Sequence, residues 1–329
     1  MHIGGFEQRF HIIRLCIAFL LILLAAAASH AGPFDQGARD FVFCFSVNGY
    51  EQETWLAEPS ALALDERAGL VYIADTRAGD VAVFSLQGAP KSQPGKVKAP
   101  VGLAVDKGGN LYVSESEGGP IEIFNSKGEM SILEIPVGEG GEPAKPGRMA
   151  FDRDGNLYVV DRAACRIYVF DKEKKLRFKL GGKGDKRGEF RMLQDVAVDR
   201  QGRIYALDSA GVPIQVFDKK GKYIYRFGFR GDGEEDISSA AGLFVDQNDQ
   251  IWVVDRGRHA LKVFDRSGNF LRKFGGYGLA EGSLFQPIDA EMDRFGRVYV
   301  LEAGARRLQV FSLSRPFEPL VPREGAIGA

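Results

Sequence analysis

The sequence predicts an all-β chain, a six-bladed β-propeller of four-stranded antiparallel blades whose ring is closed by a strand from the N-terminal end. Two observations predict it. Asp152, Asp199, Asp246 and Asp293 recur at a constant interval of 47 residues, each opening a near-copy of one pattern ("DRDGNLYVVD", "DRQGRIYALD", "DQNDQIWVVD", "DRFGRVYVLE"). Repetition at such a period marks an array of small supersecondary units. Within each copy, short apolar runs rich in Val, Ile, Leu, Phe and Tyr alternate with Gly, Asp and Asn, the pattern of strands and tight turns. Four such runs per copy make one propeller blade.

The elements follow in order along the chain. Arg9 and Arg14 precede an apolar stretch from Leu15 to Ala28, then "SHA" and Gly32-Pro33, which predicts a secretory signal peptide over residues 1–31. The apolar stretch is shorter than the roughly 20 residues of a spanning helix, and Cys16 lies inside it instead of at a lipobox-like end. The expectation is an exported protein, periplasmic or secreted, held at a membrane only if this segment stays uncleaved. Residues 32–40 read as a linker. The segment Phe41 to Val47 ("FVFCFSV") is a strand without a partner in its own copy.

Six copies follow, with first aspartates Asp65, Asp106, Asp152, Asp199, Asp246 and Asp293. A second acid ends the second strand of each: Asp75, Glu115, Asp161, Asp208, Asp255 and Glu302. There its carboxylate can accept hydrogen bonds from loop N–H groups. The fourth strand of the first copy is weakened by Pro90 and Pro94, which only an outer edge tolerates. The last copy stops after its third strand, at Phe311. Phe41 precedes Pro59 by nearly the interval that separates Phe270 from Pro287, so residues 41–47 are expected to complete the sixth blade. The propeller then spans 41–313, and 314–329 form a tail.

Composition narrows the chemistry. The formal net charge is −1, without the basic excess of a nucleic-acid binder, although Lys183, Lys186, Arg187 and Arg191 cluster locally. Of the 4 histidines only His259 lies beyond the signal peptide. One histidine, expected in an exposed loop, builds neither a multi-histidine zinc site nor a histidine pair for acid–base work. No G-x-S-x-G elbow occurs. Cys44 and Cys165 lie in distant copies and are expected to stay unpaired, as small apolar side chains in strands. No catalytic residue and no metal ligand is assigned.

The informative positions are those that break the repeat. First strands, which line the channel of a propeller, carry small or apolar residues, yet the third copy has Arg148, the fourth Asp195, and the sixth Asp289 and Glu291. Glu291 fills the slot held by Ala63, Ala104, Ala150 and Ala197 elsewhere. These four are candidate ligand-binding residues at one mouth of the channel; the alternative is an internal Arg–carboxylate network. Arg162 and Arg256 follow two of the second acids and either pair with neighbouring carboxylates or face a ligand. Leu56, Phe190 and Leu284 sit three residues before their blades and are expected to plug the gaps. Trp55, Tyr277 and Phe285 have no such equivalence and are candidates for an exposed contact surface. Calcium is the one cofactor considered. "DRDGN" at Asp152–Asn156 opens like a calcium loop but has Leu157 and Ala163 where Gly and Glu belong, so a β-turn is expected. The acidic run Asp232 to Asp236 reads as a solvated loop.

The copies resemble NHL repeats, in "PVGLAVDKGGNLYV" from Pro100, "PGRMAFDRDGNLYVVDRAACRIYVFD" from Pro146 and "HALKVFDRSGNFLRKFGG" from His259. The resemblance covers residues 41–313 and implies an NHL/TolB-like propeller. No "WD" dipeptide closes a blade, and no kelch-like double glycine recurs at a matching site. Proteins of this kind include interaction and sensor domains, RNA binders with a basic face, and a few enzymes such as amidating lyases and lactonase-like hydrolases. The resemblance therefore implies a monomeric scaffold or sensor module of the cell envelope. It would bind a protein or small-molecule ligand on the face carrying the loops between blades and between second and third strands. The alternative is a carboxylate- and metal-dependent hydrolase or lyase working in the channel.

Overall fold

A computed structural model describes residues 41–48, 56–137 and 141–313. The expected signal peptide, linker and tail, and Trp55, lie outside the described residues. What is described is six four-stranded antiparallel sheets. Their inner strands are Pro59–Asp65, Pro100–Val105, Pro146–Phe151, Leu193–Val198, Ala240–Val245 and Pro287–Met292 for blades 1 to 6. The aspartate at each inner-strand end turns the chain into the second strand. In blade 3, Asp152 accepts the N–H of Asp154 (2.9 Å) and of Asn156 (2.8 Å) and the Asn156 side-chain amide (2.7 Å). Gly155 takes φ 84° there, a left-handed conformation that glycine adopts without steric cost. The segment likened to a calcium loop is thus a closed β-turn.

Ring closure follows the expected route. Phe41–Asn48 pairs with Arg307–Leu313, giving blade 6 the order Phe41–Asn48, Arg307–Leu313, Arg297–Glu302, Pro287–Met292. Phe41 stands opposite Leu313 and Asn48 opposite Arg307, with an irregularity between Phe43 and Phe45 where Cys44 bulges out. The outer strand of blade 1 is reduced to Pro90–Lys91, as its prolines demand.

The core lies between blades, since a single radial sheet has two apolar faces and each must meet a neighbour. Six apolar clusters fill the six interfaces. At the 5–6 interface Trp252 stacks on Phe244, with ring centroids 5.4 Å apart, and meets Phe41 of the closing strand edge-on at 5.6 Å. Leu56, Phe190 and Leu284 are buried plugs between blades as expected.

The second acids clamp each blade to the loop that enters it. Asp208 accepts the N–H groups of Arg191 (2.9 Å), Met192 (2.9 Å), Ala210 (3.0 Å) and Gly211 (2.9 Å). Asp255 does the same for Ser238 (3.0 Å) and Ser239 (2.9 Å). A second periodic bond joins the first aspartate to an aromatic six residues on: Tyr158 to Asp152 (3.2 Å), Tyr205 to Asp199 (3.2 Å), Trp252 Nε1 to Asp246 (3.0 Å). Both cysteines of the described region are free. Cys165 is not in a strand: it holds φ 49° in the turn between second and third strands, with its thiol 3.7 Å from the Arg191 carbonyl.

Candidate functional site: the channel and its loop-bearing mouth

The innermost strand of each blade leaves one backbone edge unpaired toward the channel, and those N–H and C=O groups need partners. Arg148, Asp195 and Asp289 supply them. They occupy one rank of the repeat, four residues before the first aspartate, together with Ala61, Gly102 and Gly242. Arg148 crosses the channel from blade 3. Its guanidinium donates to the carbonyls of Ser60 in blade 1 and Ile288 in blade 6, both at 2.9 Å. It also forms ion pairs with Asp289 and, at 3.4 Å, with Asp195. Each aspartate reaches onward to the next blade: Asp195 accepts Leu243 N–H (2.9 Å) and Asp289 accepts Leu62 N–H (2.8 Å). Gly242 completes the rank by necessity. A Cβ there would lie 2.9 Å from the Ile288 carbonyl oxygen and 3.2 Å from the Arg148 guanidinium. Its 47-residue spacing from Asp195 and Asp289 is the signal that could have placed it in the set.

One rank deeper, Ala63, Ala104, Ala150 and Ala197 face Glu291 and Phe244. Glu291 accepts Leu64 N–H at 3.1 Å. No cation of the described residues stands within ion-pair distance of it. Burial, then the charge of Asp289, pushes its carboxyl up to about 8. Burial also drives Asp195 and Asp289 upward, and the Arg148 guanidinium opposes the rise. Beneath the Arg148 rank lies a cavity of about 260 Å³, lined down to Leu64, Phe151, Val198 and Met292 near the turn-bearing end.

The structure thus brings together the four channel residues. For three of them it realises the internal Arg–carboxylate network, leaving Glu291 as the unpaired acid. A calcium ion would find little here, because Asp195 and Asp289 are already engaged by Arg148 and by backbone N–H groups. Among the described residues no group of three or more His, Cys, Asp or Glu side chains is arranged to hold a metal.

The remaining candidates lie away from the channel set. Arg162 donates to the Ser116 carbonyl at 2.9 Å, pinning blade 3 to blade 2, and burial lowers its pKa. Arg256 donates to the Gln286 side chain at 3.2 Å. Tyr277 and Phe285 do form one surface, in the loop between blades 5 and 6, but His259 joins them. Its ring stacks on Phe285 at 5.6 Å and meets Tyr277 edge-on at 5.1 Å; Tyr277 and Phe285 meet at 5.7 Å. His259 Nδ1 accepts Gln286 N–H at 2.9 Å, which places its proton on Nε2. The histidine expected to be exposed is therefore half-buried, because the two rings of the next loop cover it. Tyr277 remains 70% exposed.

Comparisons with known proteins agree on architecture. A family model described as 6-bladed beta-propeller (DUF5128) matches residues 146–215 and 201–261. No curated protein matches the sequence. A gluconolactonase from Xanthomonas campestris is similar in structure with a TM-score of 0.60 and 17% identity, covering 78% of this chain and 86% of its own. A virginiamycin B lyase from Staphylococcus aureus gives 0.59 and 12%, covering 83% and 99%. A streptogramin B lyase gives 0.60 and 12%, covering 85% and 100%. At these identities the likeness is one of fold, and by strand order, closure and comparison alike the chain is a six-bladed β-propeller.

Proposed function

We propose that this protein is an exported NHL-type propeller that binds a protein or small-molecule ligand on its loop-bearing face, as a scaffold or sensor module of the cell envelope. The observation that carries this reading is the Tyr277–Phe285–His259 cluster. Three rings packed on one another, beside Arg256 and Gln286, hold Tyr277 out to solvent in a fixed pose. Rigid aromatic anchors next to an arginine are the composition of binding hot spots. Arg148 and its aspartates support it from the other side, since a self-satisfied network is a keystone for the ring and leaves little free chemistry. The test is capture of partners from envelope extract by the wild type, by Tyr277→Ala/Phe285→Ala and by Glu291→Gln. A partner lost with the aromatic pair and kept with Glu291→Gln is the expected result; equal capture by all three would remove the aromatic surface from the account.

A second reading rests on Glu291, a carboxyl raised to about 8 in a cavity of about 260 Å³. A carboxyl titrating near neutrality suits general acid–base work, as a hydrolase or lyase in the channel would require. Turnover of gluconolactone or of virginiamycin B that Glu291→Gln abolishes would establish this reading. Stoichiometric calcium in the purified protein, with a melting temperature that rises on calcium titration, would establish its metal-dependent form.

A further inference from the structure

Two inter-blade loops, residues 182–192 ahead of blade 4 and 276–286 ahead of blade 6, are built alike bond for bond. Gly184 N–H donates to Phe190 O (3.0 Å) as Gly278 donates to Leu284 O (3.1 Å), and the reverse bonds from Phe190 to Gly182 and from Leu284 to Gly276 are 2.8 and 2.9 Å. Gln215 and Gln309 staple the two loops identically. Each accepts a glycine N–H at 2.9 Å and donates to a carbonyl, Glu189 or Ser283, at 2.7 Å.

The twins differ in what fills them. In blade 6 the Arg307 guanidinium enters the loop and donates to the carbonyls of Leu279 (2.8 Å), Ala280 (3.2 Å) and Ser283 (3.0 Å), and to Glu302 (2.8 Å). In blade 5 Ala260 stands where blade 6 has Arg307, and the buried Lys262 takes the staple position, donating to the Asp236 carbonyl and lying 3.4 Å from Asp255. In blade 4 the residue two before the staple is Pro213, which has no donor to offer. The carbonyls of Asp185, Lys186 and Glu189, with Asp208 behind them, correspond to the acceptors of Arg307. In front of them lies a cavity of about 320 Å³. Its rim carries Lys186, Arg191, Arg226 and Arg230. Of these, Arg191 is paired with Asp185 and Arg230 donates to the Ser209 carbonyl.

We propose that this blade-4 cavity is a vacated guanidinium socket that binds an arginine bearing a free carboxylate, either the free amino acid or the last residue of a peptide. The carbonyl floor takes the guanidinium that blade 6 supplies from its own chain. The cationic rim, Arg226 above all, takes the carboxylate and discriminates against a ligand that is only cationic. This site uses neither the channel nor the aromatic cluster, so its fate is separate from the function proposed above.

Isothermal titration of the folded protein with L-arginine, agmatine, Gly-Gly-Arg and Gly-Gly-Arg amide tests it. L-Arginine or Gly-Gly-Arg is expected to bind one per chain, and whichever binds names the source of the ligand. Agmatine and the amide are expected at least about tenfold weaker, a ratio in the range a lost charge-assisted contact gives. Pro213→Arg should fill the socket and abolish binding. Arg226→Glu, at an exposed position that leaves folding intact, should reverse the preference from arginine to agmatine. Absence of heat with every probe, or arginine binding unchanged by Arg226→Glu, would overturn the proposal.

Discussion

Asp208 and Asp289 perform the same chemistry in two places. Each is a buried carboxylate that accepts backbone N–H groups from a neighbouring segment. Asp208 has a counterpart in every blade and binds a loop to the blade that follows it. Asp289 has a carboxylate counterpart only in Asp195. It binds its blade to the next one and needs a guanidinium that crosses the channel from a third blade. The periodic acid therefore secures one repeat, and the aperiodic acid secures the ring. Neutralising the first should loosen a loop, whereas disturbing the second should be felt through a network that touches five blades.

The largest expected effect is that of Arg148→Met. It leaves two buried aspartates without their cation and two carbonyls without a donor, and breaking a buried network from one side costs about 3–5 kcal/mol. Equilibrium urea unfolding measures this; a loss below about 1 kcal/mol would mean that the guanidinium does not hold the ring. Next comes Asp208→Ala, which strips the acceptor from four N–H groups and should cost about 2–3 kcal/mol. Its signature is faster amide exchange at Arg191 and Met192, with the other inter-blade loops unchanged. A ring-wide rise in exchange would erase the contrast between the two acids.

The smallest effect is one of pH. Glu291 has its carboxyl raised, so the folded chain keeps a proton that the unfolded chain releases. Stability from this group is complete below about 4.5 and is lost as pH rises through about 8. Glu291→Gln should then leave the melting temperature unchanged at pH 4 and raise it above that of the wild type at pH 9. Thermal melts across that window decide it, and a parallel shift at both pH values would show that the effect is not titration.

Most of the architecture was legible because a propeller repeats its instructions. The 47-residue interval locates the turns, and the missing fourth strand after Phe311 calls for residues 41–47 to fill it. The charged exceptions Arg148, Asp195, Asp289 and Glu291 stood out for the same reason. What the repeat could not convey was partnership. Nothing in the order of residues shows that Arg148 spans the channel to Ser60 and Ile288, or that Gly242 must stay bare to let it pass. His259 was misread for a related cause: the rings that cover it arrive from the following loop. The twin loops were hidden because their likeness resides in backbone hydrogen bonds, while their sequences, "GGKGDKRGEF" and "GGYGLAEGSL", share little beyond glycine.

The pairing of Phe41–Asn48 with Arg307–Leu313 bears on how the molecule comes to exist in time. Five blades are meanders whose strands meet their neighbours within moments of each other, but the sixth joins segments from opposite ends of the fold. Such a long-range contact is slow to form. Until it does, Phe41 is absent from beside Trp252 and the 5–6 interface stands open. Closure of the ring is therefore expected to come late in folding, and a ligand, chaperone or protease that reaches the chain before this latch engages would meet an arc and not a ring.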